Sequence, residues 1–296
     1  MTDQRVGSLR ELWRFPVKSM QGEQLDQAEF TSHGIVGDRA YALVDQSTDK
    51  VVSAKSARLF GGLLGCGATF VEPPRPEGEL PAVRITLPDG TSVTSDSGES
   101  ERVLSGFLRR DVSLARVAPE NFTIDQYHPD VEDVDPAGHR DTVVEAKLGA
   151  ALFAQIGAPS PVPEGSFFDA FPVSVLTTST MTRLNELQPA SRFDARRFRM
   201  NVIVDTEDAG FVENGWIGQR LAIADAVRFD VTMPDPRCVM TTLAQDDLPG
   251  DTEVLRALVK HNRLDLGEMG HYPCAGVYAV VGTPGTIRTG DRVSIA

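Results

Sequence analysis

Short runs of strand-forming residues, separated by turns that contain proline or glycine, recur along most of this 296-residue chain. The strongest hairpin signal joins the runs at 82–87 and 91–95 through an Asp-Gly pair, because Asp-Gly suits a type I′ turn. This pattern favours a mainly β, barrel-like architecture over a parallel βαβ sheet. Further strand candidates lie at 8–15, 23–30, 40–46, 171–177, 200–205, 220–233, 275–282 and 291–296.

A few segments show the apolar spacing that is typical of helices, namely 100–110, 141–157, 178–187 and 252–260. The stretch at 119–141 differs, because six acids and no Lys or Arg lie between Glu120 and Asp135, and prolines interrupt it. We expect a surface loop there. A Pro-rich connector follows at 158–166, so a domain boundary is expected in or near 119–166.

Composition narrows the choice of partners. The net charge of −13 argues against nucleic acid and against anionic membranes, since both require a basic protein surface. The N-terminal sequence lacks the apolar core of a secretory signal, and no run approaches the ~18 apolar residues of a membrane-spanning helix. We therefore expect a cytoplasmic protein with no membrane partner.

The three cysteines are widely spaced and form no CxxC pair, which predicts neither a disulfide framework nor a zinc knuckle. Cys66 lies in an apolar run, where a buried, inert thiol is expected. His271 and Cys274 in GHYPC offer two zinc ligands where a structural site needs four.

Three polar motifs are compatible with either a solvated surface or a binding site. Lys18 and Ser19 follow a strand and a proline in RFPVKS, and Arg39 follows the glycine-rich turn HGIVGD. Four arginines lie within eight residues of RFDARRFRMN, namely Arg192, Arg196, Arg197 and Arg199. Clustered arginines form either a solvated face or a bidentate site for phosphate or carboxylate.

Cys238 lies in the short stretch PDPRCVMTT. A lone cysteine is most often a small buried hydrophobe. Arg237 would favour its thiolate, but adjacent residues on a strand point to opposite faces. Pro234 and Pro236 predict a turn that would bring the two side chains together.

The motifs occur in the order LWRFPVKSMQGEQLDQAEFTSHGIVGDRAYALVD, LTTSTMTRLNEL, RFRMNVIVD, FVENGWIGQRLAIAD, PDPRCVMTT and AGVYAVVGTPGTIRTGDRV. In these six blocks the chain resembles the MOSC superfamily (molybdenum-cofactor sulfurase C-terminal domain), in its two-domain type with an N-terminal MOSC β-barrel domain. The resemblance covers nearly the whole chain and implies a mainly β fold of two β-barrel-like domains with a few short peripheral helices. It divides the chain into an N-terminal domain at 1–118, an acidic loop, helix and connector at 119–166, and a MOSC domain at 167–296.

The resemblance also implies a molybdenum cofactor, a Mo-pyranopterin dithiolene, held between the two domains. Cys238 would be the protein's ligand to the metal and a catalytic residue. The other matching positions carry cationic side chains, which give charge-assisted hydrogen bonds, and hydroxyl or amide side chains, which give neutral ones. They are Lys18, Ser19, Arg39, Ser179, Thr180, Arg199, Asn201 and Arg237.

The implied activity is reduction of small N-oxygenated (N-hydroxylated) substrates, by oxygen-atom transfer at the cysteine-ligated metal. Asp235 is the ionisable residue nearest to Cys238 in the motif apart from Arg237, and is a candidate for proton transfer. No ferredoxin-type cysteine cluster follows the last block, so we expect an external electron-transfer protein: a flavodoxin, a ferredoxin or a reductase. The alternative is a molybdenum-cofactor or sulfur carrier in which Cys238 bears a persulfide.

Overall fold

The computed structural model describes residues 4–119 and 121–295, and within them the fold is mainly β with a few short helices, as predicted. The strands are β1 (Gln4–Arg14), β2 (Glu23–Leu25), β3 (Gln27–Thr31), β4 (Gly34–Ile35), β5 (Ala42–Asp45), β6 (Gly67–Phe70), β7 (Val83–Thr86), β8 (Ser92–Thr94), β9 (Val112–Ala115), β10 (Thr123–His128), β11 (Thr142–Lys147), β12 (Val173–Thr177), β13 (Val202–Asp205), β14 (Arg220–Ile223), β15 (Val227–Pro236), β16 (Arg263–Asp265), β17 (His271–Thr283), β18 (Gly285–Arg288) and β19 (Arg292–Ile295). The α-helices are α1 (Ala57–Phe60), α2 (Ser100–Leu108), α3 (Ala150–Gln155), α4 (Thr178–Leu187) and α5 (Glu253–His261). Short 3₁₀ helices lie at Gly61–Gly65, Ala195–Arg197, Val212–Trp216, Val239–Thr242 and Gly267–Met269.

Seven strands close into a barrel. Their order is β12, β13, β1, β19, β14, β15 and β17, and hydrogen bonds between β17 and β12 complete the ring. Closure leaves none of these strands with a free edge. The interior is filled by aliphatic and aromatic side chains, among them Val175, Val204, Phe229 and Val277.

The N-terminal strand is part of this barrel. Ser8 in β1 pairs with Asp205 on one side and with Arg292 on the other. Strand β3 likewise pairs with β18. Hydrogen bonding therefore connects residues from both ends of the chain, and the predicted domain boundaries stay a prediction.

A second β unit, centred on residues 36–115, packs around its own core. β5 pairs with β9, and β6, β7 and β8 form a three-stranded sheet. The segment between β1 and β2 joins this unit through two isolated bridges, from Val17 to Tyr41 and from Gln21 to Gly67. The hairpin predicted at 82–95 is confirmed as β7–β8, and Cys66 is buried in this core, as predicted.

Helices α4 and α5 cover one outer side of the barrel. Leu184 and Leu258 pack there against Leu176 and Ile203. α4 begins where the side chain of Thr177 accepts a hydrogen bond from a backbone N–H of its first turn, which is the usual way to satisfy such a group. Within 4–119 and 121–295, no helix is long and apolar enough to cross a membrane.

The secondary structure predicted for 119–157 is wrong in two places. The expected loop contains β10, which forms an antiparallel ladder with β11, and the expected helix at 141–157 is reduced to α3. Thr142, Val143 and Val144 are β-branched, and their alternating exposure follows the two-residue period of a strand, which overrode the helical spacing.

The run predicted as one strand at 220–233 is a hairpin instead. β14 and β15 pair across a turn in which Ala224 has a φ of 49°. Neither glycine nor proline marks this turn, and Asp225 stands alone as a turn-forming residue between two alanines, which is a weak signal.

Candidate functional site

A cleft lies between the barrel and the second β unit, and residues of both line it. It encloses about 760 Å³ of atom-free space, including its mouth to solvent. Six cationic side chains but only two carboxylates line this cleft, although the whole chain carries a charge of −13. The cleft is therefore suited to an anionic ligand. The charged residues are Lys18, Arg39, Lys55, Arg197, Arg199, Arg237, Asp169 and Asp235.

Two lysines share one carboxylate in the cleft. Lys18 pairs with Asp169 and also donates to the Phe167 carbonyl at 2.8 Å, while the Lys55 Nζ lies 2.7 Å from the other Asp169 oxygen. Burial lowers the pKa of Lys18. Burial also opposes the charge of Lys55, but Asp169 and Cys238 raise its pKa overall. The pKa of Asp169 is held far below its usual range by both lysines, against the effect of burial. Lys18, Lys55 and Asp169 together therefore carry a net positive charge.

Arg39 and Arg199 lie together over one aromatic ring. Their guanidinium carbons are 4.5 and 4.4 Å from the centroid of Phe15. Arg39 also pairs with the buried Asp38 and donates to the Arg199 carbonyl at 3.1 Å. Burial and the charge of Arg39 lower the pKa of Arg199 to about 9, so it stays charged at neutral pH. Like charges this close oppose each other unless an anion joins them.

Three of the predicted site residues have left-handed backbones. φ is 65° at Ser19, 48° at Arg39 and 55° at Arg199. This conformation costs a residue with a Cβ about 1–2 kcal/mol, and such strain concentrates at functional sites. Gly37, with φ of 82°, makes the predicted tight turn before Arg39, and a Cβ there would lie 2.6 Å from the Phe70 ring. The turn at Gly37 and the strained backbones of Arg39 and Arg199 together hold these two cationic side chains in place.

Asp235 and Arg237 form an ion pair directly before Cys238 in the sequence. Asp235 is 2% exposed, and burial raises its pKa against the effects of Arg237 and Tyr278. Burial and Asp235 in turn raise the pKa of Tyr278. Among the described residues, Asp235 Oδ1 and Arg237 Nε are buried without a hydrogen-bond partner. Leaving such atoms unpaired costs about 1–3 kcal/mol each, so a ligand that bonds to them is favoured.

Cys238 directly follows this pair, just after the end of β15. It is half-buried and precedes the 3₁₀ helix Val239–Thr242. Cys238 and Arg237 line the same cleft. The turn predicted at Pro234 and Pro236 is wrong, because both prolines lie in β15, where the pairing with β17 shifts register between them. Cys66 and Cys274 lie outside the cleft, and burial raises the pKa of each of these thiols to about 12. Cys238 is therefore the thiol of this chain that a ligand in the cleft can reach.

Two predicted cofactor-binding residues, Ser179 and Thr180, are not brought to the cleft. They lie in the first turn of α4, where the Thr180 hydroxyl donates to the buried Glu213 at 2.7 Å. The Ser179 hydroxyl donates to the Asp208 carbonyl. The motif LTTST thus builds the start of a helix, and its hydroxyl groups are used inside the protein.

Asn201 does line the cleft, but its amide is already fully used. Its oxygen accepts from the backbone and the hydroxyl of Ser174 at 3.2 and 3.1 Å, and its nitrogen donates to the Trp13 carbonyl at 3.2 Å and to Asp38 at 2.8 Å. An amide has two donor and two acceptor positions. Asn201 therefore holds Asp38, the partner of Arg39, in place.

The arginines of RFDARRFRMN have three different environments. Arg192 and Arg196 pair on the surface with Asp247, at 2.6 and 2.8 Å. Arg197 is 1% exposed and donates to four backbone carbonyls, those of residues 192, 241, 243 and 249. Arg199 faces the cleft. The surface interpretation is therefore confirmed for Arg192 and Arg196, and the ligand-binding interpretation stays a prediction for Arg199.

Lys55 and Asp169 line the cleft but were not predicted from the sequence. Lys55 stands in VVSAKSARLF, where no spacing distinguishes it from a solvated lysine. Asp169 lies between aromatic residues in FFDAF, just before the fully buried strand β12. An acid placed in an apolar run is a usable signal, because a buried carboxylate needs a partner.

An apolar groove continues from the cleft and shares Cys238 and Arg237 with it. Three rings lead along it towards the cleft: Phe153 meets Phe171 edge-on at 5.6 Å, and Phe171 stacks with Tyr278 at 5.1 Å. Residues of β10, β11 and α3 form one wall, and residues of β15 and β17 the other. The misassigned segment 119–157 thus shapes the approach to Cys238.

Two family models match the chain: the MOSC N-terminal beta barrel domain at residues 6–59 and the MOSC domain at residues 163–294. Together they span more than half of the chain. The first contributes Lys18, Arg39 and Lys55 to the cleft, and the second contributes Arg199 and Cys238. The chain belongs to the MOSC family. The predicted family is thereby confirmed.

This MOSC protein is similar along its length to mitochondrial proteins of mammals. It is 25% identical over 310 residues to mitochondrial amidoxime-reducing component 1 of Homo sapiens, covering 98% of this chain and 83% of that protein. It is 25% identical over 313 residues to mitochondrial amidoxime reducing component 2 of Bos taurus, with 98% and 83% covered. The crystal structure of the YUAD protein from Bacillus subtilis covers 100% of this chain at 14% identity and a TM-score of 0.41.

Proposed function

We propose that this MOSC protein is a molybdenum-cofactor-dependent reductase of small N-hydroxylated substrates, in which Cys238 is the thiolate ligand of the metal. The observation that carries the proposal is the convergence of surplus cationic side chains and one accessible thiol in a single cleft. The names of the human and bovine relatives supply the reaction class, amidoxime reduction.

The donor set of the cleft fits such a cofactor. A pyranopterin dithiolene carries a phosphate and a polar pterin, for which Lys18, Arg39 and Arg199 offer charge-assisted hydrogen bonds. The buried Arg237 Nε and Asp235 Oδ1 add one unpaired donor and one unpaired acceptor. Cys238 offers the soft sulfur that a thiolate-binding metal prefers.

When bound, the cofactor supplies the two-electron redox chemistry, which no side chain provides. The protein's part is to position and to tune. Arg237 stands beside Cys238 and places a positive charge next to the proposed metal ligand. Arg197 holds the carbonyls of residues 241 and 243, so it fixes the turn that follows Cys238.

The groove supports a substrate class. Its ladder of Phe153, Phe171 and Tyr278 offers flat apolar surfaces next to Cys238, and aromatic pairs contribute about 0.5–1.5 kcal/mol beyond area burial. We propose N-hydroxylated compounds with an aromatic body. Asp235 is the proposed proton donor, because burial raises its pKa and lets it hold a proton closer to neutral pH.

We propose that electrons come from a separate flavodoxin, ferredoxin or reductase. A ferredoxin-type iron–sulfur cluster takes four cysteine ligands, whereas these 296 residues contain three cysteines, two of them buried. A cytoplasmic location stays a prediction from the N-terminal sequence.

The test is made on purified protein. We expect about one molybdenum and one pterin per chain, and reduction of an aryl amidoxime driven by a chemically reduced viologen. Cys238→Ser should abolish this turnover and Cys274→Ser should retain it. Turnover with NADH or NADPH and no other protein would exclude the need for an external donor.

The same samples distinguish the carrier alternative. Cyanide-labile sulfur on Cys238, with no molybdenum and no viologen-driven turnover, would favour a sulfur carrier. Protein with neither molybdenum nor labile sulfur, after expression in cells that make the cofactor, would overturn both functions.

A further inference from the structure

Two histidines and an aspartate meet where the loop between β10 and β11 closes. The Nδ1 atoms of His128 and His139 lie 3.0 and 2.7 Å from the same oxygen, Oδ2 of Asp135. One ligand atom from each residue lies within 4.8 Å of the other two. These residues fall between the two family matches, which end at 59 and resume at 163.

We propose that His128, Asp135 and His139 bind a divalent transition-metal ion, and that Zn²⁺ is the ion they suit best. Imidazole and carboxylate are both common zinc ligands. With bonds of about 2.0–2.1 Å, the ligand atoms of a tetrahedral site lie about 3.3 Å apart. The two nitrogen–oxygen separations of 3.0 and 2.7 Å would open by about 0.3 and 0.6 Å, and the histidine ligand atoms lie within 4.8 Å of each other.

The carboxylate is already held in a binding orientation. Asp135 Oδ1 accepts the backbone N–H of His139 at 3.0 Å, which leaves Oδ2 turned to both rings. The turn is short, because the Asp135 carbonyl also accepts the N–H of Gly138 at 3.2 Å. Ligand orientation therefore costs little further ordering when an ion binds.

The ring of His128 has a partner for its other nitrogen. The side-chain amide nitrogen of Gln126 lies 3.4 Å from His128 Nε2. Metal binding at Nδ1 leaves the proton on Nε2, and a half-turn of the Gln126 amide would place its oxygen to accept the hydrogen bond from that N–H. Such partners fix the tautomer and the orientation of metal-binding histidines.

The site is buried on one side and open on the other. His128 and Asp135 are 7% and 8% exposed, whereas the His139 side chain is 36% exposed. Three protein ligands leave a fourth position for water. In the loop between the ligands, Val131 and Val134 pack against Leu255 of α5. A bound ion would therefore stabilise the contact between this loop, beside the apolar groove, and helix α5 of the barrel.

Zn²⁺ titration of the full chain, freed of loosely bound metal and followed by competition with a chromophoric chelator, tests the proposal. We expect one more Zn²⁺ bound per chain by the wild type than by His139→Ala, with affinity lowered at least about tenfold in the variant. Asp135→Asn should weaken binding as well. His271→Ala, which removes an exposed histidine at the start of β17, is the matched control and should bind as the wild type does. Zn²⁺ should also raise the unfolding temperature of the wild type but not that of His139→Ala.

Equal Zn²⁺ binding by wild type and His139→Ala, or no binding by either, would overturn the proposal and leave a hydrogen-bonded clamp only. Repeating the titration in Cys238→Ser excludes zinc held by the cleft thiol: the difference between the proteins with and without His139 should persist there. The assay does not use reductase activity, so its result is separate from that of the proposed function.

Discussion

The surface arginines and the cleft arginines of this protein differ in their counter-ions. On the surface, Arg196 lies 2.7 Å from Asp194 and 2.8 Å from Asp247, and Arg192 lies 2.6 Å from Asp247. In the cleft, five cationic side chains other than Arg197 have three carboxylates between them, those of Asp38, Asp169 and Asp235. The two sets come within a few residues of each other in the sequence, because Arg199 belongs to the same motif as Arg196.

This difference in counter-ions shows that a high density of arginines in a sequence does not by itself identify a ligand site. Surface arginines that carry their own carboxylates need nothing further, and such pairs contribute little. Buried cations without matching carboxylates are costly until an anion binds. Arg197 belongs to neither set, since it is buried against backbone carbonyls, and the three environments predict three different outcomes for substitution.

Arg197→Ala should give the largest loss of stability. It removes the donors for four carbonyls from a side chain that is 1% exposed. We expect the free energy of unfolding to fall by at least about 3 kcal/mol, since each hydrogen bond to a charged group contributes roughly 1.5–3 kcal/mol. Denaturant unfolding measures it. A loss below about 1 kcal/mol would show that water replaces these bonds without cost.

Arg199→Ala should lower cofactor content more than it lowers stability. One charge-assisted hydrogen bond to the cofactor corresponds to roughly ten- to a hundredfold in affinity. Arg196→Ala is the matched control, because it removes an equal charge three residues away on the surface. Molybdenum and pterin are measured after identical purification. Full occupancy in Arg199→Ala, or an equal loss in both variants, would remove the distinction between cleft and surface.

The smallest expected effect is the pH dependence of the stability that the surface ion pairs of Asp247 contribute. Arg196 and Arg192 lower the pKa of Asp247 from 3.8 to about 2. A carboxyl with a lowered folded pKa stabilises the protein above its unfolded pKa and loses that effect as pH falls through the folded value. The difference in unfolding midpoint between wild type and Asp247→Asn should therefore shrink between about pH 4 and pH 2. A constant difference across this range would mean that the pairs do not act through charge.

Much of the fold was accessible from the sequence because its signals are local. Asp-Gly marks the β7–β8 hairpin, and apolar spacing marks α2, α4 and α5. β10 and β11 were misassigned because each is stabilised by pairing with the other across a long loop, which spacing within one segment does not report.

The candidate site divides in the same way. The ordered motifs pointed to Lys18, Arg39, Arg199 and Cys238, which all line one cleft in the structure, and their binding roles stay predictions. Hydroxyl groups are harder to assign, because the hydrogen bond that Thr180 donates to the buried Glu213 is of the kind that it could also donate to a pterin. Lys55 is recognised only when its partner Asp169 is known, because its sequence context is that of a solvated lysine.

The most direct test of the account counts the sulfur neighbours of molybdenum by X-ray absorption in Cys238→Ser and in Cys274→Ser. Serine replaces a soft thiolate by a hard, mostly protonated hydroxyl, so the sulfur count should fall by one in Cys238→Ser. It should not change in Cys274→Ser, whose thiol is buried outside the cleft. An unchanged count in Cys238→Ser would show that the thiol at 238 does not bind the metal.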